Sequence, residues 1–285
     1  MRVLDYFEPT SVKETSSLLA KFEGAKIVAG GTDLVVDMNK KNENPRYIID
    51  IKNIPNLDYI EYQPGQGLKI GALTTIAALQ KSDVIIQKYS IIQQATLEFA
   101  NIAIRNVATL GGNLCAAVPS SDMAPGLIAL GAKVKIAGVE GEKVIPLEEF
   151  FVKSKKSALQ KDELLVEIQV PEQTENTRGI YYKFSKRGEG DLAIVGVAVV
   201  ITLDSQKEIC QDIKIALGNV APTPMRAHNA ESILRGNKID EALIDKCVQA
   251  AADETNARKS YRASVEYKKD MVKVFAKKAI SKAIA

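Results

Sequence analysis

Two stretches of this chain set paired glycines beside hydroxyl, amide or carboxylate side chains. They are Val28-Ala29-Gly30-Gly31-Thr32-Asp33 and Thr109-Leu110-Gly111-Gly112-Asn113. Glycine tolerates positive φ and lets a ligand come close to the main chain. Successive N–H groups in such a turn converge on an anion such as a phosphate. Thr32 and Thr109 can add hydroxyl donors, and Asn113 offers both an amide donor and a carbonyl acceptor. Two such loops from separate parts of the chain could hold an elongated diphosphate cofactor between them. The plain alternative is a pair of tight turns without a ligand, because turns are the usual reason for glycine. The residues alone leave both readings open.

Other chemistries find less support. His228 is the only histidine and follows Pro222, Pro224 and Arg226 in a turn-like stretch. A Ser-His-Asp or Cys-His hydrolase would hang on that one residue. Cys115, Cys210 and Cys247 are far apart and lack metal-ligand spacing, so zinc or an iron–sulfur cluster held by this chain is not expected. No Gly-Lys-Ser/Thr closes a phosphate loop. Gly188-Glu189-Gly190-Asp191-Leu192-Ala193 has the spacing of a dinucleotide fingerprint, but it precedes a strand rather than a helix, which argues against a Rossmann domain. A net charge of +3 and the absence of Trp argue against a nucleic-acid partner. The longest apolar stretch, residues 192–203, is too short to span a bilayer. The N-terminal residues lack a basic segment followed by an apolar run, so the expected location is cytoplasmic.

The elements that must carry the two glycine stretches follow from pattern. Ser11-Val12-Lys13-Glu14 has the form of a capping box ahead of Leu18, Leu19 and Phe22, which predicts a short helix. Residues 26–29 and 47–51 read as strands, giving a small α+β unit over 1–55. Within 56–175, strands are expected at 68–73, 133–136 and 163–170, with helices at 90–100 and 123–130. The pattern changes after the polar segment 172–178. Ala193, Val195, Val197, Val199, Ile201 and Leu203 alternate along one strand, and Ile213, Ile215 and Leu217 along the next, which suits antiparallel pairing. Two amphipathic helices, 239–256 and 265–284, complete a third unit over 176–285, with their lysines expected on a solvated face.

At the glycine stretches the sequence resembles the flavoprotein subunit family of the molybdenum hydroxylases. That family covers the medium subunits of carbon monoxide dehydrogenase and bacterial xanthine dehydrogenase, and the matching segment of larger xanthine and aldehyde oxidases. Ala29-Gly30-Gly31-Thr32-Asp33-Leu34 is similar to its first FAD loop. Thr109 to Asn113, continuing as Leu114-Cys115-Ala116-Ala117-Val118-Pro119-Ser120-Ser121-Asp122-Met123-Ala124-Pro125, is similar to the second. Tyr182-Lys183-Phe184-Ser185-Lys186-Arg187 with Asp191-Leu192-Ala193, and Gly218-Asn219-Val220 leading to Pro224-Met225-Arg226, resemble two further family segments in order.

The resemblance implies an α+β fold of the vanillyl-alcohol-oxidase type: two FAD-binding subdomains and a C-terminal domain with a small antiparallel sheet packed on helices. It implies that Ile27, Val28, Ala29, Gly30, Gly31, Thr32, Asp33 and Leu34 line the diphosphate and ribityl chain. Thr109, Leu110, Gly111, Gly112, Asn113 and Ala116 would take the other side. Asp122 matches a position that hydrogen-bonds the cofactor, with an N-cap for the following helix as its structural alternative. Phe99, Leu165 and Lys183 match residues around the flavin; from periodicity alone they are a core residue, a buried strand residue and a surface strand residue. Leu192 stands where some relatives carry an aromatic. The cysteine-rich insertion of the thioester-reducing relatives is missing. The implied activity is oxidoreductase electron transfer: FAD in this chain, a molybdenum cofactor on a large partner subunit, two-iron two-sulfur clusters on a small one, and NAD or another acceptor. A stand-alone FAD-dependent reductase or oxidase of the same fold is the alternative, and a nucleotide-binding or scaffold protein without FAD is a third.

Overall fold

The computed structural model describes residues 4–188 and 190–285. Glu189 of the fingerprint-like stretch, and residues 1–3 of the N-terminal reading, lie outside the described residues.

The first unit contains β1 (Asp5–Phe7), α1 (Val12–Lys21), β2 (Lys26–Val28), α2 (Leu34–Asn39) and β3 (Tyr47–Asp50). Its three strands are parallel, with β3 in the middle. Ser11 caps α1 by accepting from the Glu14 N–H at 3.2 Å. The return arm is displaced: the Glu14 carboxylate accepts from the Thr10 N–H at 2.8 Å rather than from Ser11.

The second unit contains β4 (Ile60–Gln63), β5 (Gly67–Gly71), α3 (Ile76–Lys81), α4 (Asp83–Lys88), α5 (Ser90–Leu97), α6 (Ile102–Arg105), α7 (Leu110–Cys115), α8 (Met123–Ala129), β6 (Lys133–Gly138), β7 (Gly141–Pro146), β8 (Phe151–Lys153), β9 (Lys156–Ser157) and β10 (Leu164–Val170). Five strands form an antiparallel sheet in the order β4-β5-β10-β6-β7, and β8-β9 is a separate hairpin. Because β10 inserts between β5 and β6, Leu164 and Leu165 come beside residues far away in sequence. The two units share a core in which Leu19, Ile49 and Ile51 of the first meet Leu73, Leu164 and Val166 of the second. That shared core fixes the end of β2 against the second sheet.

The third unit contains β11 (Thr177–Phe184), β12 (Val195–Leu203), β13 (Cys210–Gly218), β14 (Met225–Arg226), α9 (His228–Leu234), α10 (Glu241–Asp253) and α11 (Val265–Ile284). The sheet is antiparallel in chain order. Val195, Val197, Val199, Ile201 and Leu203 share a core with Ile213, Ile215 and Leu217 and with the three helices. The opposite face is buried too: Ala198, Val200 and Ala216 belong to the core of the second unit. Burial on both faces explains why β12 reads as a nearly unbroken apolar run. The small residues of that second face let α8 lie close.

The middle of β11's outer edge is hydrogen-bonded by one side chain. The Gln94 amide on α5 donates to the Gly179 carbonyl at 3.3 Å and accepts from the Tyr181 N–H at 2.9 Å. Lys268 departs from the expected solvated face of α11. It is 4% exposed and donates to the Asn219 carbonyl at 2.8 Å, and burial holds its ammonium below the usual lysine range.

Candidate cofactor site

A cavity of about 260 Å³ opens between the end of β2 and the start of α7. On one side the chain leaves β2 through Gly30 and Gly31. Gly30 is pressed against the backbone before α7: a Cβ there would lie 2.0 Å from the Val107 carbonyl oxygen. Gly31 has φ +72°, where a side chain is strained. Among the described residues, the N–H groups of Gly30, Gly31, Thr32, Asp33 and Leu34 have no protein acceptor. This turn therefore presents a run of main-chain donors beside the cavity. Burial and the neighbouring Asp37 raise the Asp33 carboxyl, while Lys155 opposes the shift.

The other side is built differently. The second glycine stretch is not an open loop but the first turn of α7. The Thr109 hydroxyl accepts from the Gly112 N–H at 3.1 Å, and the Thr109 carbonyl accepts from Asn113 at 3.0 Å. The Leu110 N–H donates to Thr74 at 2.9 Å and the Gly111 N–H to Ala72 at 2.8 Å. All four amides are therefore engaged within the protein. Gly111 is small because α7 sits on the segment after β5: a Cβ would lie 2.7 Å from the Ala72 carbonyl oxygen. The remaining polar offering is Asn113. Its Oδ1 accepts from the Ser121 hydroxyl at 2.6 Å, and its Nδ2 has no protein acceptor among the described residues.

Most residues expected at the site line this one cavity. They are Ile27, Val28, Ala29, Gly30, Gly31, Thr32, Asp33 and Leu34 on one side, and Thr109, Gly111, Gly112, Asn113 and Ala116 on the other, with Phe99 and Leu165 between. Three are not on the wall. Leu110 is fully buried, since its position on α7 turns it into the core. Asp122 and Lys183 bind each other at 2.9 Å instead. Asp122 makes no capping bond to α8; Ser121 does, accepting from the Ala124 N–H at 3.3 Å. Nor is Lys183 a surface residue, because its side chain is 1% exposed. Burial pushes the Asp122 carboxyl up to about 6, against the opposing pull of Lys183 and Tyr181.

Ile51, Ala72, Leu73, Ala108, Cys115, Leu159 and Leu164 also line the cavity, and the sequence reading did not assign them there. They are plain apolar residues and a thiol, supplied by strand ends and by the segments flanking α7. Burial raises the Cys115 thiol to about 12, which favours its protonated form near neutral pH. His228 opens α9 and does not line this cavity; its Nε2 lies 2.8 Å from Glu148 Oε1.

These residues suit one part of an elongated anionic cofactor. Whole-ligand pockets run to roughly 300–1,000 Å³, so this cavity accommodates a segment of a dinucleotide rather than all of it. Unclaimed amides suit a diphosphate, and Phe99, Leu164 and Leu165 suit an apolar ring system or chain. An α+β chain that sets a donor-rich turn against a closed helix start across an apolar cleft is in form a dinucleotide-cofactor carrier. Comparison with known families gives the particular kind. The chain belongs to the family described as the FAD binding domain in molybdopterin dehydrogenase, which matches residues 2–173, and residues 180–283 match the CO dehydrogenase flavoprotein C-terminal domain.

Relatives agree over nearly the whole length. The carbon monoxide dehydrogenase medium chain of Afipia carboxidovorans is 33% identical over 282 residues, covering 99% of this chain and 96% of that one. The xanthine dehydrogenase FAD-binding subunit of Escherichia coli O157:H7 is 30% identical over 281 residues, covering 98% and 96%. Among solved structures, the Cu,Mo-CO dehydrogenase in its cyanide-inactivated form matches with a TM-score of 0.94 at 32% identity, covering 99% of this chain and 98% of that one. The chain is accordingly an FAD-binding oxidoreductase subunit of the molybdenum hydroxylase family, with the α+β fold expected from its sequence. Among the described residues no helix is long and apolar enough to cross a membrane.

Proposed function

We propose that this chain is the electron-transfer flavoprotein of a multi-subunit molybdenum hydroxylase. In this reading it receives electrons from iron–sulfur clusters on a small subunit, which are fed in turn by a molybdenum-bearing large subunit, and passes them to NAD or another acceptor. The observation that carries the reading is the run of amides from Gly30 to Leu34, without a protein acceptor among the described residues, in a turn that lines an apolar-walled cavity. Bound FAD supplies the redox chemistry, and the protein supplies placement and electrostatics. The amides of residues 30–34 hold the diphosphate by charge-assisted hydrogen bonds. Asn113 Nδ2 supplies a donor from the opposite wall. Phe99 and Leu165 exclude water from the cavity.

The substrate of the holoenzyme is not encoded here. Two relatives of nearly equal similarity bear the names of different enzymes, a carbon monoxide dehydrogenase and a xanthine dehydrogenase. In this reading the substrate binds on the large subunit. The test is affinity purification from the native host, with partner mass spectrometry, molybdenum and iron analysis and a flavin spectrum. The expected result is a yellow complex with two further subunits and both metals, reduced by the large subunit's substrate and reoxidised by the acceptor. A yellow chain that purifies alone and oxidises NADH unaided would instead establish the stand-alone reductase.

A further inference from the structure

A second cleft opens where the C-terminal unit meets the second one, at the opposite end of α5 from Phe99. It measures about 410 Å³ and shares no lining residue with the cofactor cavity. Its walls are the corner between α4 and α5, the start of β11 and the last turn of α11. α5 is eight residues long, so about 12 Å of helix separates the two sites. The helix approaches β11 closely here: a Cβ at Gly179 would lie 2.9 Å from Ile91 Cβ.

Three cations line this cleft, Lys88, Arg178 and Lys282, and no carboxylate does. All three are exposed. Lys88 lies over the Tyr62 ring at 4.7 Å and Lys282 over the Tyr182 ring at 5.8 Å. The Arg178 side chain has no hydrogen-bond or ion-pair partner among the described residues. Glu172, which Lys88 attracts, is outside the lining and is engaged by the Tyr62 hydroxyl and the Gly65 N–H. The cleft also receives the start of α5. The Ser90 and Ile91 N–H groups have no protein acceptor among the described residues, and both residues line it. A helix start favours negative charge. Beside these polar groups the lining holds buried apolar side chains, Ile91, Leu130, Ile180 and Val200.

We infer that this cleft binds a nucleoside monophosphate, with the phosphate among the three cations and the α5 amides and the base against the apolar residues. A phosphate monoester carries about two negative charges and three acceptor oxygens. That matches three cations and two amides better than a single carboxylate would. A guanidinium can grip two of those oxygens at once. The volume falls within the range of small-molecule sites, roughly 300–1,000 Å³, which leaves room for a sugar and base beyond a bare phosphate.

The test titrates AMP, adenosine and inorganic phosphate calorimetrically into the full-length chain saturated with FAD, so that flavin occupies the other cavity. AMP should bind, more tightly than phosphate, and adenosine should give no signal. Arg178→Gln should weaken AMP about tenfold, and Lys282→Gln a few-fold. Melting temperature and flavin spectrum should stay unchanged in both, because both side chains are exposed. AMP affinity should also fall as salt rises. The Arg178→Gln comparison does not rest on the cofactor reading, since Arg178 lies outside that cavity. Unchanged AMP affinity in Arg178→Gln, or AMP bound no better than adenosine, would overturn the site. Phosphate bound as tightly as AMP would overturn the nucleotide assignment. An AMP signal seen only in the flavin-free chain would put the nucleotide in the cofactor cavity and overturn the proposal as well.

Discussion

Gly30-Gly31 and Gly111-Gly112 face each other across one cavity, yet their main chains are in opposite states. The first pair includes a left-handed glycine within a run of N–H groups that have no protein acceptor among the described residues. In the second every amide from Leu110 to Asn113 is already engaged, two of them by the Thr109 cap and two by residues after β5. The same two-letter spelling therefore serves binding on one side and close packing on the other. A glycine pair signals a special backbone requirement, and only the surrounding hydrogen bonds say which one.

Substitutions can test that difference. The largest effect is expected at Gly30→Val, because the added Cβ would collide with the Val107 carbonyl that joins the two sides. It should cost about 3 kcal/mol and abolish FAD uptake, as read by thermal unfolding and flavin titration. Next, Gly31→Ala and Gly111→Ala should diverge. Gly31→Ala forces a side chain onto positive φ, costs roughly 1–2 kcal/mol, and should lose FAD affinity out of proportion to stability. Gly111→Ala collides with Ala72 and should lose about 2 kcal/mol, with affinity falling only as far as α7 shifts. The smallest pair is Thr109→Ala against Thr32→Ala. Removing the Thr109 cap should cost about 1 kcal/mol, while Thr32→Ala should leave the melting temperature unchanged and weaken FAD a few-fold. Equal melting losses in those last two variants would erase the distinction between the sides.

The sequence made some of this architecture legible and hid the rest for physical reasons. Larger apolar residues at every second position exposed the helix-facing side of β12 and β13, while β12's other face is also buried, against the second unit. They could not expose the sheet order of the second unit, because β10 pairs with strands remote from it on both sides. β7 escaped notice because its residues are mostly exposed and polar, leaving no apolar pattern. α7 read as a loop because Gly111 and Gly112 are poor helix formers, and the close approach to Ala72 that requires the first of them is a tertiary fact. Residues of both glycine stretches line the one cavity. Periodicity alone puts Lys183 on the surface of its strand, since a lone lysine carries no sign of the carboxylate and carbonyl that surround it.

The contact of Gly30 with residues 107 and 108 also bears on biogenesis. During translation the donor turn leaves the ribosome well before the backbone that buttresses it has been made, and N-terminal units fold first. Its finished shape must wait for the second unit to form and dock. Flavin loading is then expected only once the second unit has formed, and nascent fragments that stop short of residue 107 should emerge colourless even when flavin is abundant.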